Sequence, residues 1–258
     1  MLSIHPAAVV SPRAELGEGC FVGPFCTVGD DARLGARVRL ESHVVVDGRT
    51  EIGDDTHVFP FVSLGLEPQD LKYRGEPAVT RIGRRNRIRE FVTIHRGTEG
   101  GGMLTEVGDD CLIMAQAHIA HDCRIGSGVI MANAATLAGH VEVSDGANIG
   151  AYSGVHQFCR VGREAYVGGY SVVVKDALPF ALSVGNHAKC YGLNTVGMKR
   201  RGYAQTAIDA LHHAFRLLLA SKLNTTQALE RIREEITDST EVEQLVRFIE
   251  TSQRGVVK

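Results

Sequence analysis

Aliphatic residues recur along this chain at every sixth position. From Ile4 the steps fall on Val10, Leu16, Val22, Val28, Leu34, Leu40, Val46, Ile52, Val58 and Leu64. After a break the same phase resumes at Ile82, Ile88 and Ile94. After a second break it returns one residue out of phase, at Val107, Ile113, Ile119, Ile125, Met131, Leu137, Val143, Ile149, Val155, Val161, Val167 and Val173. All 26 positions are Leu, Ile, Val or Met. A helix repeats every ~3.6 residues and a half-buried strand every second residue, so neither explains the beat. A hexad of β-branched residues, often followed by Gly as at Gly17, Gly53, Gly83 and Gly126, predicts a parallel β-helix. Each hexad is a short strand and a turn, and three hexads close one triangular coil. The aliphatic points into the prism, and the Gly suits a corner that a Cβ would crowd.

The breaks, 65–81 and 95–106, are rich in Gly, Pro and charge. Leu64 and Ile82 are 18 residues apart, the chain of one coil, so the first break reads as an excursion from the prism rather than a domain boundary. Loops on a rigid repeat are where function tends to sit. With strands ~4.8 Å apart, the prism should be about 40 Å long. The beat stops over 179–190. From about Ala204 the period turns helical, with Ala207, Ile208, Leu211, Ala214, Phe215, Leu218 and Leu219 on one face. Asn224-Thr225-Thr226 and Asp238-Ser239-Thr240 cap two further helices. The expected division is a β-helix over 1–190 and an α-helical domain over 191–258.

Composition excludes more than it assigns. The 258 residues carry a net charge of −2, which points to neither nucleic acid nor an anionic membrane surface as partner. No apolar run nears the ~20 residues of a membrane span, so no stable membrane insertion is expected. The beat begins at Ile4, and a cytoplasmic protein is the expectation. Five of the six cysteines, Cys20, Cys26, Cys111, Cys123 and Cys159, lie four residues after a repeat aliphatic, a second inward position. They read as packing thiols rather than disulfides, ligands or nucleophiles.

The chemistry gathers at Ala117-His118-Ile119-Ala120-His121-Asp122-Cys123. Residues 18 apart should stack on the same face, so Gly139 lies above His121, Gln157 above Gly139, and His140 above Asp122. His118 and His156 fall beside them. Side chains two and three after the inward aliphatic should face outward or toward a corner. Two chemistries fit. A neutral imidazole can take a proton from an alcohol attacking a thioester, with the Gly139 amide near the developing oxyanion. Alternatively, the histidines can hold zinc, as in a zinc-dependent hydratase of the same prism. A non-catalytic trimeric scaffold is the third reading. His5, His43, His57, His212 and His213 read as solvated.

The motifs QDLKYRGEP (69–77), RNRIREFVTIHRGT (85–98), AHIAHDC (117–123), ATLAGHV (135–141), VHQFC (155–159), GNHA (186–189) and KRRG (199–202) resemble those of the UDP-N-acetylglucosamine O-acyltransferase family, essentially from end to end. The resemblance implies a left-handed parallel β-helix followed by a small α-helical domain. It implies transfer of a 3-hydroxyacyl chain from acyl carrier protein to the 3-hydroxyl of UDP-N-acetylglucosamine, the first step of lipid A biosynthesis. It also implies a homotrimer with active sites between prisms. No cofactor is implied, since phosphopantetheine arrives on the carrier protein as substrate, and no metal. By the same analogy His121 is the general base, Asp122 supports it and the Gly139 amide polarises the thioester. Asp70 and Lys72, on the first excursion, hold the sugar and a phosphate, and Gln69, His95, His118, His140, His156 and Gln157 complete the sugar-nucleotide and acyl pocket. His187, Asn194 and Arg200 hold nucleotide or pantetheine, and Lys199-Arg200-Arg201 is a basic run suited to an acidic carrier protein. Gly169 stands where the family tunes chain length; its missing side chain implies a long chain, roughly C12 to C14.

Overall fold

A computed structural model describes all 258 residues. Three sheets of eleven, nine and eight strands wrap one core as a three-sided β-helix. Successive strands visit the first, second and third sheets in turn, as His57–Val58, Ser63–Leu66 and Val79–Ile82 do. Stacked coils run parallel, with Ile4 opposite Val22 and Val46 opposite Leu64. From Val22 onward every repeat aliphatic is at most 4% exposed. Ile4 is 43% exposed because the first coil has no neighbour beneath it. The five lattice cysteines are buried free thiols. Burial pushes the Cys123 thiol up to about 12 and Cys111 up to about 11, so both pack as small apolar groups.

The glycines after the aliphatic answer to coil contact rather than to turn conformation. A Cβ on Gly53 would stand 2.7 Å from the Gly83 carbonyl carbon of the next coil. The left-handed backbone falls two residues after that glycine position, at Asp122 (φ 61°), His140 (φ 61°) and Phe158 (φ 64°) along one edge.

The two breaks are shorter than the hexads alone suggest. Leu64 lies in the second sheet and Ile82 in the third, so the chain advances one face across the first break. Ile52 stacks on Ile82, 30 residues on, and Ile82 on Val107, 25 on. Against a regular coil of 18, as from Val46 to Leu64, the inserts are therefore twelve and seven residues. Strands Ser63–Leu66 and Val79–Ile82 reach into the first break, and Thr93–His95 and Leu104–Val107 into the second. Both loops leave the prism at one edge, between the second and third sheets.

The outer faces differ in charge. On the third sheet the outward row reads Glu15, Arg33, Glu51, Arg81, Glu106, Arg124, Glu142, Arg160, each opposite the next. The signs alternate without exception, and Arg81 reaches Glu51 at 3.3 Å and Glu106 at 3.4 Å. The second sheet's outward row, from Val9 through Thr27, Val45, Ser63, Thr93, His118, Thr136 and Gly154 to Val172, has no acidic or basic residue except His118. At the edge between the first and second sheets, Phe25, His43, Phe61 and Phe91 form an exposed stack with centroids 4.8–5.0 Å apart. His43 is thus an aromatic rung, and His57 pairs with Glu41 at 2.7 Å and stacks on Phe59.

Sheet structure continues past residue 190. Lys189–Leu193 pairs antiparallel with Ala181–Val184 before helices α1 (Thr195–Arg200), α2 (Gln205–Phe215), α3 (Thr225–Glu235) and α4 (Thr240–Glu250). Asn224 caps α3 through a reciprocal box with Gln227, and the Ser239 hydroxyl caps α4. The helices share one apolar cluster with Leu178, Phe180 and Ala181 of the prism end. The tail then returns to the prism, where Asp176 and Gly255–Val257 exchange backbone hydrogen bonds. Asp176, 1% exposed, also takes Arg160 at 2.9 Å and Ser252 at 2.8 Å. No helix is long and apolar enough to cross a membrane.

Candidate active site

The loop-bearing edge carries the cluster. Strand His118–Ile119 points Ile119 inward, and the chain then turns through His121 and Asp122. One coil up, Gly139 and His140 occupy the same turn, and His140 N–H donates to the His121 carbonyl at 3.0 Å. A Cβ on Gly139 would stand 2.6 Å from His121 Cε1 and 2.7 Å from Nε2. The imidazole therefore lies against bare backbone. The Gly139 N–H has no partner within the chain, a property it shares with the His121 and Gln157 amides at the same turn position.

His121 Nδ1 lies 2.8 Å from Asp122 Oδ2. An ionised carboxylate only accepts, so Nδ1 carries the proton and Nε2 presents its lone pair. Asp122 does not face outward as the hexad offset suggests. It is 4% exposed, covered by the second loop, because the carboxylate occupies the space a Gly101 side chain would need. Thr98 N–H donates to Oδ1 at 2.8 Å and Thr98 Oγ1 to Oδ2 at 2.6 Å. The Asp122 N–H donates to Thr105 Oγ1 at 2.7 Å. Burial works against the charge, yet the bonds from His121 and Thr98 outweigh it and hold the carboxyl below its ordinary range.

Three neighbouring imidazoles, His95, His118 and His140, are held below the ordinary histidine range. Burial, then His118, His121 and Arg96, pushes His95 down to about 4. Burial and His121 lower His118, whose Nδ1 meets Thr93 Oγ1 at 2.7 Å. Burial lowers His140 against the pull of Asp122, 3.8 Å away. His140 packs edge-on to His121 and stacks on Phe158 at 4.4 Å. His121, Asp122 and His140 bring possible ligand atoms within 4.8 Å of one another. A cation there would compete with Thr98 and His121 for a carboxylate that already accepts three hydrogen bonds. A cleft of about 510 Å³ opens from Asp122, Gly101 and His140 past Phe158 to Thr251 and Gln253 of the tail.

Not every residue suggested by the sequence meets here within one chain. Gln69, Asp70 and Lys72 leave from the same edge, and Asp70 and Lys72 are near enough to bias His140. His156 and Gln157 sit one coil above, exposed. Gly169 turns a different edge, between the first and second sheets, and His187 lies exposed in the loop before Lys189–Leu193. Asn194, Arg200 and Arg201 belong to the edge between the third and first sheets. There Asn194 caps α1 by accepting from Gly197, and donates to the Glu164 carbonyl at 3.1 Å. Arg201 is not a free basic residue: it meets buried Glu164 at 2.9 Å and donates to the Gly128 and Gly146 carbonyls. Lys199 and Arg200 are exposed. Sequence reasoning passed over Thr98, which has no repeat phase and stands 24 residues from Asp122; its only sign was the motif ending in HRGT.

Comparison with known proteins agrees over the full length. A family model described as UDP-N-acetylglucosamine O-acyltransferase, domain 2, matches residues 176–257, and one for six bacterial transferase hexapeptides matches 13–48 and 105–139. The acyl-[acyl-carrier-protein]–UDP-N-acetylglucosamine O-acyltransferase of Thermodesulfovibrio yellowstonii is 46% identical over 258 residues, all of both chains. The structure of LpxA from Acinetobacter baumannii is 39% identical with a TM-score of 0.96, covering 99% of each chain. UDP-N-acetylglucosamine O-acyltransferase from Moraxella catarrhalis is 40% identical with a TM-score of 0.95, again over 99% of each.

Proposed function

The chain belongs to the UDP-N-acetylglucosamine O-acyltransferase family, and from that premise we propose how its loop-bearing edge carries out the transfer. The protein moves an acyl group from acyl carrier protein to UDP-N-acetylglucosamine in lipid A biosynthesis. The acyl group is a 3-hydroxyacyl chain and the acceptor is the sugar 3-hydroxyl. His121 Nε2 removes the hydroxyl proton as the oxygen attacks the thioester carbonyl carbon. The Gly139 N–H receives the developing oxyanion. The tetrahedral intermediate collapses, the carbon–sulfur bond breaks, and the phosphopantetheine thiolate takes the proton from His121. Asp122 holds the productive tautomer and offsets the imidazolium charge. The reaction as written uses no resident cofactor or metal.

The observation that carries this reading is the 2.8 Å His121–Asp122 bond on an imidazole laid against Gly139. The acceptor is held by Gln69, Asp70, Lys72 and the imidazoles of His95, His118, His140 and His156, with Gln157. The edge that carries Asn194, Arg200 and Arg201 cannot reach His121 in its own chain and reaches a neighbour's instead. In this scheme the assembly is a homotrimer, packed through the second sheet, whose outward row is free of acidic and basic residues apart from His118, and through the adjoining aromatic edge. Both substrates are water-soluble, and the reaction is cytoplasmic. His121→Ala should lower turnover by about 10²–10⁴-fold with the trimer intact by ultracentrifugation. A loss under about tenfold in intact trimers places the base elsewhere.

A further inference from the structure

We infer that Thr98 is a positioning residue for the acyl transfer, clamping Asp122 so that the carboxylate holds His121 in its working orientation. The inference rests on the His121–Asp122 reading above.

The clamp is bidentate. Thr98 spends its backbone N–H on Oδ1 at 2.8 Å and its hydroxyl on Oδ2 at 2.6 Å, fixing the plane of the carboxylate. His121 Nδ1 takes the remaining place on Oδ2 at 2.8 Å. Thr98 is itself only 6% exposed, so water has little access to replace its hydroxyl. The following turn, Glu99–Gly101, closes over the pair. An added Cβ on Gly101 would stand 1.9–2.2 Å from the carboxylate atoms, so the strap admits no side chain there. Without the hydroxyl, Oδ2 loses a charge-assisted bond while the residue 98 N–H stays on Oδ1, so the carboxylate is held at one oxygen only and can pivot about it. The imidazole follows it. The second loop thus has a mechanical link to the base, and its order and the orientation of Nε2 are coupled.

The test is a double-mutant cycle on the full-length enzyme, with acyl carrier protein thioester and UDP-N-acetylglucosamine as substrates. Thr98→Val, close in shape but without the donor, should lower kcat/KM about 10- to 100-fold, through kcat, with the KM for the nucleotide sugar within about twofold. Thr98→Ser, which keeps the hydroxyl, should regain activity to within about threefold of the parent. In an Asp122→Asn background, Thr98→Val should cost less than about twofold more, because the carboxylate through which the clamp acts on His121 is gone. Losses that multiply, a defect in KM alone, or a serine variant as impaired as the valine variant overturn the inference. If the valine variant has no cooperative melt, Thr98→Ala takes its place in the same cycle. A deep loss in Asp122→Asn with a silent Thr98→Val defeats the clamp alone. Full activity in Asp122→Asn defeats the His121–Asp122 reading and the clamp with it.

Discussion

A methyl group on Gly139 tests the geometry of the base more sharply than removing the base does. The added Cβ of Gly139→Ala would lie 2.6 Å from His121 Cε1 and 2.7 Å from Nε2, where ordinary contact begins at 3.4 Å. The ring must retreat by about 0.8 Å, and its anchor opposes the move. A slide that carries Nδ1 away from Asp122 lengthens their 2.8 Å bond, at most towards about 3.6 Å, beyond a useful hydrogen bond. Pivoting about Nδ1 keeps that bond but swings Nε2 away from the acceptor hydroxyl. His140, packed edge-on at 5.1 Å between centroids, limits the escape on that side. A displacement approaching 1 Å at a reacting group costs about 10²-fold, or ~2.7 kcal/mol in the barrier. The clash falls on a side chain at the prism surface, so the melting temperature should hold within a few degrees. The assay is kcat/KM for acyl transfer in Gly139→Ala, His121→Ala and the pair. The methyl should cost about a hundredfold beside His121 and under about twofold when the ring is absent. Parental activity in Gly139→Ala, or an equal loss in both backgrounds, would refute the reasoning.

Three further outcomes follow from the same structure. Asp122→Asn should destabilise the protein by about 1–3 kcal/mol near neutrality, the worth of bonds to a buried charge. Because the folded carboxyl is held below its ordinary 3.8, that stabilisation is present above 3.8 and lost as pH falls through the lower folded value. The gap between parent and variant in urea melts should therefore close in acid; a gap that widens there reverses the sign. Glu106→Lys places a third positive charge between Arg81 and Arg124, each 3.4 Å from Glu106. These groups are well exposed, so the cost should be about 1–2 kcal/mol at low ionic strength and shrink by half or more in ~0.5 M salt. A salt-independent loss would assign the effect to packing. Gly169→Met should shift the preferred acyl chain to a shorter one, since a Cβ there meets only Ala151 backbone, its carbonyl oxygen at 3.3 Å, and the side chain is free to enter a groove. An unchanged product profile across chain lengths removes Gly169 from specificity.

The repeat was legible in the sequence because the prism interior tolerates little else. A polar side chain at Ile119 or Leu137 would be buried without a partner, so the aliphatic beat is strict and the fold can be read from it. Stacking follows from the same beat, and Gly139 against His121 and His140 near Asp122 were within reach of simple counting. What lay beyond it depends on aperiodic backbone. The breaks add twelve and seven residues, yet both loops emerge at the edge where the histidines turn. No period in 67–78 or 96–103 could say that. Asp122 has the offset of a surface residue, and only the path of the second loop buries it beneath Gly101 and joins it to Thr98. Arg201 reads as a free charge until the fold places buried Glu164 beside it. The sequence by itself determined the prism and which residues stack, because burial enforces a periodic chemistry. Tertiary structure alone decided which charges are covered, clamped or neutralised, because those outcomes rest on contacts between segments that share no period.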